Sequence, residues 1–197
     1  MKKSVSIVGG GPAALMLAAL LDCKKYNVTI YEKNKTLGRK LLVAGKGGFN
    51  LTHSEPIDEF INRYTPTDFL EKSLLNFNNQ DLRNWLKNIG IPTYVGSSKR
   101  VYPEKGIKPI AVLNAITTVL NKQNIQILYN QTWTGWGLNN TLIFNSDSEI
   151  ISDHTIFALG GGSWKITGSD GLWVDLFKKK GISTVPFQAS NCAYQVN

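Results

Sequence analysis

The chain has 197 residues, of which 42% are hydrophobic and 18% charged, a makeup that fits a globular protein and excludes a disordered, collagenous or membrane-embedded one. Its two cysteines, Cys23 and Cys192, lie far apart without metal-ligand spacing, so the sequence offers neither a disulfide framework nor a Cys/His zinc site and points to a reducing compartment. The formal charge of +8 comes from scattered lysines and arginines rather than a block of like charges, and it does not choose among nucleic acid, a membrane surface and an anionic cofactor as partner.

The N-terminus imitates a lipoprotein signal, with Lys2 and Lys3 before an apolar stretch ending in Leu20-Leu21-Asp22-Cys23. Gly9-Gly10-Gly11-Pro12 breaks that stretch, and Asp22 stands where processing needs a small residue. The remaining apolar run, Ala13 to Leu21, is about half of the roughly 20 residues needed to cross a bilayer. A cytoplasmic protein is expected.

Ser4 to Val8 reads as a β-branched strand, Pro12 to Leu21 as a buried helix with proline in its first turn, and Asn27 to Tyr31 as a second strand, together a βαβ unit. A basic, glycine-rich loop follows from Gly38 to Asn50. Leu82, Trp85, Leu86 and Ile89, closed by Gly90, make one helical face, and Ile110, Leu113, Ile116 and Leu120 make another. Ile125 to Tyr129, Thr132 to Leu138, Thr141 to Phe144 and Ile150-Ile151 read as short strands of an antiparallel meander. Thr155 to Leu159 is a further buried strand running into Gly160-Gly161-Gly162, and Asp170 to Lys180 is a helix stopped by Gly181. The fold class is α/β, a Rossmann-type domain over 1–187, with a helical insertion at about 57–124 and the meander at about 125–151.

Gly9-Gly10-Gly11-Pro12-Ala13-Ala14 fits G-x-G-x-x-A between a strand and a helix. Gly9 permits the tight turn, Gly11 lets backbone approach a pyrophosphate, and Ala14 allows close helix–strand packing, while the helix N-terminus offers free N–H groups. Glu32 falls at the end of the second strand, where a carboxylate can accept both hydrogen bonds of an adenosine ribose. A carboxylate there repels a 2′-phosphate, so the bound nucleotide is expected to be FAD or NAD. Neither glycine-rich loop continues into Gly-Lys-Ser/Thr, which argues against a nucleotide hydrolase. The second loop, with Arg39, Lys40, Gly45, Lys46 and Asn50, can wrap an anionic planar ligand or serve as a solvated turn.

Several stretches together resemble the BaiN-like (YhiN-like) bacterial flavoproteins, a family of NAD(P)/FAD-dependent oxidoreductases. They are Gly9 to Ala14, Glu32-Lys33, Gly38 to Pro56, Arg100-Val101-Tyr102-Pro103, Ala158-Leu159-Gly160-Gly161 and Thr167-Gly168-Ser169-Asp170-Gly171. Many relatives carry an Arg-Cys-Asn or similar triplet where this chain has Gly48-Phe49-Asn50, so a cysteine role there does not carry over. The resemblance implies that Gly9, Gly11 and Ala14 hold the FAD pyrophosphate and that Glu32 holds the adenosine ribose, with Pro12, Ala13 and Lys33 also among the cofactor-binding residues. It also implies that Arg39, Lys40, Gly45 and Asn50 line the cofactor, with Gly160 and Gly161 turning beside it. NADH or NADPH is the implied electron donor and a small organic molecule the substrate. Family members are about twice as long, so from about Gln188 the chain is expected to enter a second domain that it does not complete. A nucleotide-binding fragment without turnover and a flavoprotein acting on tRNA are the alternatives.

No catalytic constellation stands out beside the cofactor. His53 and His154 read as structural or solvent-facing, and Ser54-Glu55, Ser152-Asp153 and Ser169-Asp170 as turns or helix caps. Trp133, Trp136, Trp164 and Trp173 read as packing residues. Such a sequence suits chemistry carried by a cofactor, with no metal ion called for.

Overall fold

The computed structural model describes residues 1–44, 48–145 and 148–188. In chain order its elements are β1 (Lys3–Val8), α1 (Pro12–Leu20), β2 (Tyr26–Glu32), α2 (Arg39–Val43), β3 (Thr52–His53), α3 (Ile57–Ile61), α4 (Thr67–Asn76), α5 (Asn79–Asn88), β4 (Thr93–Val95), β5 (Arg100–Pro103), α6 (Pro109–Lys122), β6 (Gln126–Tyr129), β7 (Trp133–Trp136), β8 (Leu142–Phe144), β9 (Glu149–Ile150), β10 (His154–Phe157) and α7 (Trp173–Lys179). They gather into two compact units, one of residues 1–40 with the chain from 120 onward and one of residues 41–119.

The first unit is built on a parallel sheet of order β10-β1-β2-β6. With β1 in the middle, β2 and β6 lie on one side and β10 on the other, so the winding reverses beside β1, the place where doubly wound sheets open a crevice at their carboxyl ends. Register sets Val8 opposite both Tyr31 and Phe157, which brings the ends of three strands level. Strand β1 earns its central place by composition: Val5, Ile7 and Val8 are at most 3% exposed, as expected for a strand covered on both faces. Helix α1 packs on β1 and β2 through Ala14, Leu15, Ala18 and Ala19, all buried, and small alanines permit that approach.

A second, antiparallel sheet of order β7-β8-β9 belongs to the same unit. Its Trp133, Leu142 and Phe144 form a buried cluster with Val8 and Tyr31. Tyr31 stacks on Phe144 with ring centroids 4.6 Å apart and planes 21° from parallel. Helix α7 closes this core, Phe177 meeting Trp133, Trp136 and Phe157.

The second unit holds the sheet β3-β5-β4 and helices α3, α4 and α5. Helix α5 opens on a capping box: the Asn78 side chain accepts from the Asp81 backbone N–H and the Asp81 carboxylate accepts from the Asn78 N–H. Leu86 is its buried residue, and Gly90 with φ +85° ends the turn.

Three sequence expectations need correction. The strand read at Ile125 to Tyr129 is not part of the meander; β6 joins the parallel sheet beside β2, with Ile30 opposite Ile127. A run of apolar residues signals a strand without naming its partner, and partner choice here depends on the long crossover between β2 and β6. The loop read from Gly38 contains the one-turn helix α2. On α6 Val112 is buried and Ile110 is 47% exposed, so the buried stripe runs Val112, Leu113, Ile116, Leu120. Among the described residues no helix is long and apolar enough to cross a membrane.

Candidate functional site

At the carboxyl end of β1 the chain turns through Gly9 at φ +108°, a conformation that L side chains rarely adopt. The turn is tied on each side: Gly9 N–H donates to the Tyr31 carbonyl (2.8 Å), and the Ala158 N–H to that of Val8 (2.9 Å). A Cβ on Gly9 would stand 2.5 Å from the Ala158 carbonyl oxygen. Gly11 then caps α1 with φ −81° and ψ 178°, no side chain caps the helix, and a Cβ at Gly11 would have nothing within 4 Å. The head of α1 therefore presents bare backbone to open space, the condition for receiving an anion.

Glu32 ends β2 at 6% exposure. One carboxylate oxygen accepts from Gly10 N–H at 2.6 Å, and the other from the backbone N–H and side-chain amide of Asn34, at 2.7 and 2.5 Å. Three of roughly four acceptor positions are thus filled by the protein itself, which leaves one for an outside donor where the sequence reading had assigned two.

Between the strand ends lies a cleft of about 260 Å³. Its polar wall holds Gly9, Gly11, Pro12, Glu32, Lys33, Arg39, Lys40 and Gly160, and its apolar floor is Val8, Tyr31, Trp133, Leu159 and Leu176. Burial raises the Tyr31 phenol above its ordinary value against weaker, lowering hydrogen bonds from Ser6 and Thr29, so at neutral pH it keeps its proton. The Trp133 ring is buried, and its Nε1 has no partner among the described residues.

The cations of the wall are not free. Lys33 pairs with Asp170 at 2.7 Å, Arg39 donates to the Asn34 side-chain carbonyl at 2.5 Å and to the Ile166 carbonyl at 2.9 Å, and Lys40 donates to the Ser163 hydroxyl at 2.6 Å. All three fasten the segment 163–170 at the rim, and this segment contributes Thr167, Gly168, Ser169 and Asp170 to the wall. Burial pushes the Asp170 carboxyl up, but the Lys33 hydrogen bond, the Leu172 N–H and the Lys33 charge outweigh it and hold the group below its usual value. Trp173 Nε1 donates to the Gly160 carbonyl at 3.0 Å, and Ser169 Oγ to that of Gly161 at 3.0 Å.

Of the other expected site residues, Ala14 is buried in α1, Ala13 is exposed in its first turn, and Gly161 lies beside the wall. Asn50 belongs to the second unit, and Gly45 lies outside the described residues, as does the chain beyond Gln188, where a second domain was expected. Asn34, Trp133 and Trp173 were missed as site residues. Only Asn34 left a sequence signal, an amide two positions after the strand-end carboxylate, a spacing suited to a local turn. His53 Nε2 donates to the Ser98 carbonyl (3.2 Å), and His154 packs edge-on to Tyr26. Among the described residues no group of His, Cys, Asp and Glu side chains could hold a metal ion.

A family model described as the HI0933-like protein Rossmann domain matches residues 3–189. The chain belongs to that family. Both the family and the Rossmann-type fold expected from the sequence are thereby found. The chain is similar to 3-dehydro-bile acid delta(4,6)-reductase of Clostridium scindens, 25% identical over 186 residues that cover 92% of this chain and 45% of the relative. It is also similar to ribosomal RNA dihydrouridine synthase of Haemophilus influenzae, 21% identical over 202 residues covering 93% and 47%. The chain spans about half the length of these curated relatives. Among solved structures, THI4 of Thermovibrio ammonificans matches with a TM-score of 0.56 at 16% identity, over 92% of this chain and 64% of that one, a likeness of fold.

The residues present fit the dinucleotide that such a fold implies. Open backbone at Gly11 admits a diphosphate, the remaining acceptor position of Glu32 suits one hydroxyl, and the floor of Tyr31 and Trp133 suits an aromatic base.

Proposed function

We propose that the first unit binds FAD at this cleft, with the pyrophosphate at Gly9 to Ala14 and the adenosine ribose at Glu32, and that the whole protein is an oxidoreductase. The observation that carries the reading is the open, uncapped turn at Gly11 beside a buried strand-end carboxylate, at the point where the sheet reverses its winding. When bound, FAD supplies two-electron redox chemistry, taking a hydride from NADH or NADPH and delivering one to a small organic substrate. The chain's own residues bind and orient. Glu32 takes one ribose hydroxyl while fixing Gly10, the apolar floor excludes water from the base, and Lys33, Arg39 and Lys40 hold the rim segment in place. Membership of the family and the reductase and synthase named among its relatives support the redox assignment. A cytoplasmic bacterial setting without a metal ion goes with it.

The test is a visible absorption spectrum of the purified chain after loading with FAD and dialysis, beside Glu32→Ala. A flavin spectrum that survives dialysis and weakens in the variant is expected; equal retention by both removes the ribose assignment. A second reading, action on RNA, is favoured by the likeness to a ribosomal RNA dihydrouridine synthase and by the charge of +8. It requires RNA binding that weakens steeply with added salt, because phosphate contacts release counterions.

A further inference from the structure

Of the stretches that carry the family resemblance, the later part of Gly38 to Pro56, from Asn50 onward, and Arg100 to Pro103 are not in the lining of the first unit's cleft. They meet each other instead within the second unit, where β3 pairs with β5, Thr52 opposite Val101 and His53 opposite Arg100. Beside them lies an open groove of about 610 Å³, with Phe49, Tyr94, Tyr102, Ser97, Ser98 and Lys105 in its wall.

The aromatic part of this wall is set by strand register. Tyr94 and Tyr102 are cross-strand partners of β4 and β5, with ring centroids 5.7 Å apart and planes 29° from parallel. Bare backbone runs along both edges of the Tyr102 ring. A Cβ on Gly96 would stand 2.9 Å from Cε2, and one on Gly48, at φ +105°, 3.6 Å from Cε1. The glycines thus leave these two edges of the ring free of side chains, while Tyr94 stacks beside it.

The rim is held as firmly as the wall. The turn from Gly96 to Arg100 closes on itself, Gly96 N–H donating to the Arg100 carbonyl and Lys99 N–H to that of Gly96. From β3, His53 Nε2 meets the Ser98 carbonyl, and the Ser54 N–H and hydroxyl both donate to the Lys99 carbonyl, at 2.8 and 2.9 Å. Asn79 clamps the His53 and Glu55 carbonyls, and buried Glu55 is gripped by Arg63 through Nε and Nη2. One family stretch therefore positions the turn that carries Ser97 and Ser98, and the other supplies the ring. A groove whose parts are fixed in advance loses little entropy on receiving a ligand.

We propose that this groove binds the flat, unsaturated ring of a small organic molecule, seated on Phe49, Tyr94 and Tyr102 with its polar edge toward Ser97, Ser98 and Lys105. Offset stacking rewards a planar π-system and not a puckered ring of equal size. Lys105 has Glu104 beside it in the same wall, so the ligand is neutral or carries a single negative charge. The residues that line the site all belong to the second unit.

The test uses the full chain labelled with 3-fluorotyrosine, the resonances of Tyr94 and Tyr102 being identified by Tyr→Phe replacement. Naphthalene-2-carboxylate is titrated against decahydronaphthalene-2-carboxylate, which has the same charge and carbon count but no flat ring. Saturable shifts of Tyr94 and Tyr102 with the aromatic acid, at least about tenfold weaker with the saturated one and in Phe49→Leu, are expected. Equal response to both acids, no response, or a shift confined to Tyr31 of the first cleft overturns the proposal. If Tyr102→Leu is also made and does not fold, Phe49→Leu still decides. FAD retention, measured on the same samples, is expected to be unchanged by Phe49→Leu, so a failed flavin assignment and a failed groove give different results.

Discussion

Glu32 and Gly10 are joined at 2.6 Å, a strand-end carboxylate to the backbone N–H in the middle of the glycine-rich turn. The same carboxylate holds Asn34, and the Gly10 carbonyl accepts from Gly38, so one buried acid fixes the turn and the chain that leaves β2. Glu32→Ala strips two backbone donors of their partner. The buried Gly10 donor left unpaired costs about 1–3 kcal/mol and the half-buried Asn34 donor about 1 kcal/mol, so we expect roughly 2–4 kcal/mol lost by urea denaturation, alongside weaker FAD binding. A variant as stable as the parent would mean that water replaces the carboxylate and that the residue acts on the ligand alone.

The two outer glycines of the turn should separate folding from binding. Gly9→Ala places a methyl group 2.5 Å from the Ala158 carbonyl at a positive φ, and it should destabilise the chain by at least about 1–3 kcal/mol. Gly11→Ala has an ordinary φ and nothing within 4 Å, so stability should stay within about 0.5 kcal/mol while affinity for FAD falls, because the methyl group occupies the space a diphosphate needs. Thermal melts with and without FAD read both effects. Loss of folding in Gly11→Ala, or undiminished FAD binding by it, would contradict the geometry.

Trp133 gives a third measurement. Its ring is packed in the cleft floor while Nε1 lacks a partner, so Trp133→Phe keeps much of the packing and removes a costly unpaired donor. We expect a loss below about 1.5 kcal/mol, against about 3–5 kcal/mol for Trp133→Ala. Equal losses in the two variants would show that the indole N–H is paired in solution.

The turn, the α1 helix and the strand-end acid were legible in the sequence because each is set by local chemistry: positive φ needs glycine, the first helical position accepts proline, and a fixed spacing brings Glu32 to the strand end. What was illegible depends on contacts between distant segments. Nothing local says that β6 pairs with β2, that Trp133 lines the cleft, or that Lys33 and Lys40 hold Asp170 and Ser163 instead of standing free. The same holds for the second groove, whose two stretches are some fifty positions apart and become one wall only through the pairing of His53 with Arg100.

Acid should weaken the fold through three carboxylates. The Arg63 hydrogen bond holds Glu55 below its ordinary value against the opposing effect of burial, with the charges of Arg63, His53 and Lys99 adding to it. The backbone N–H and hydroxyl of Ser4 do the same for Asp153, tying β1 to the chain entering β10, and Lys33 does so for Asp170 once its burial is overcome. A carboxyl whose value is lowered on folding binds its proton more readily in the unfolded chain, so falling pH favours unfolding. The contribution is complete above the ordinary carboxylate values of about 4 and is lost as pH drops through the lower folded values. The urea midpoint should therefore hold from neutrality to about pH 5 and decline below it, with a shallower decline in Asp153→Asn, which starts lower at neutral pH and has one group fewer to titrate. An unchanged slope in that variant would show that the Ser4 contact does not persist in solution.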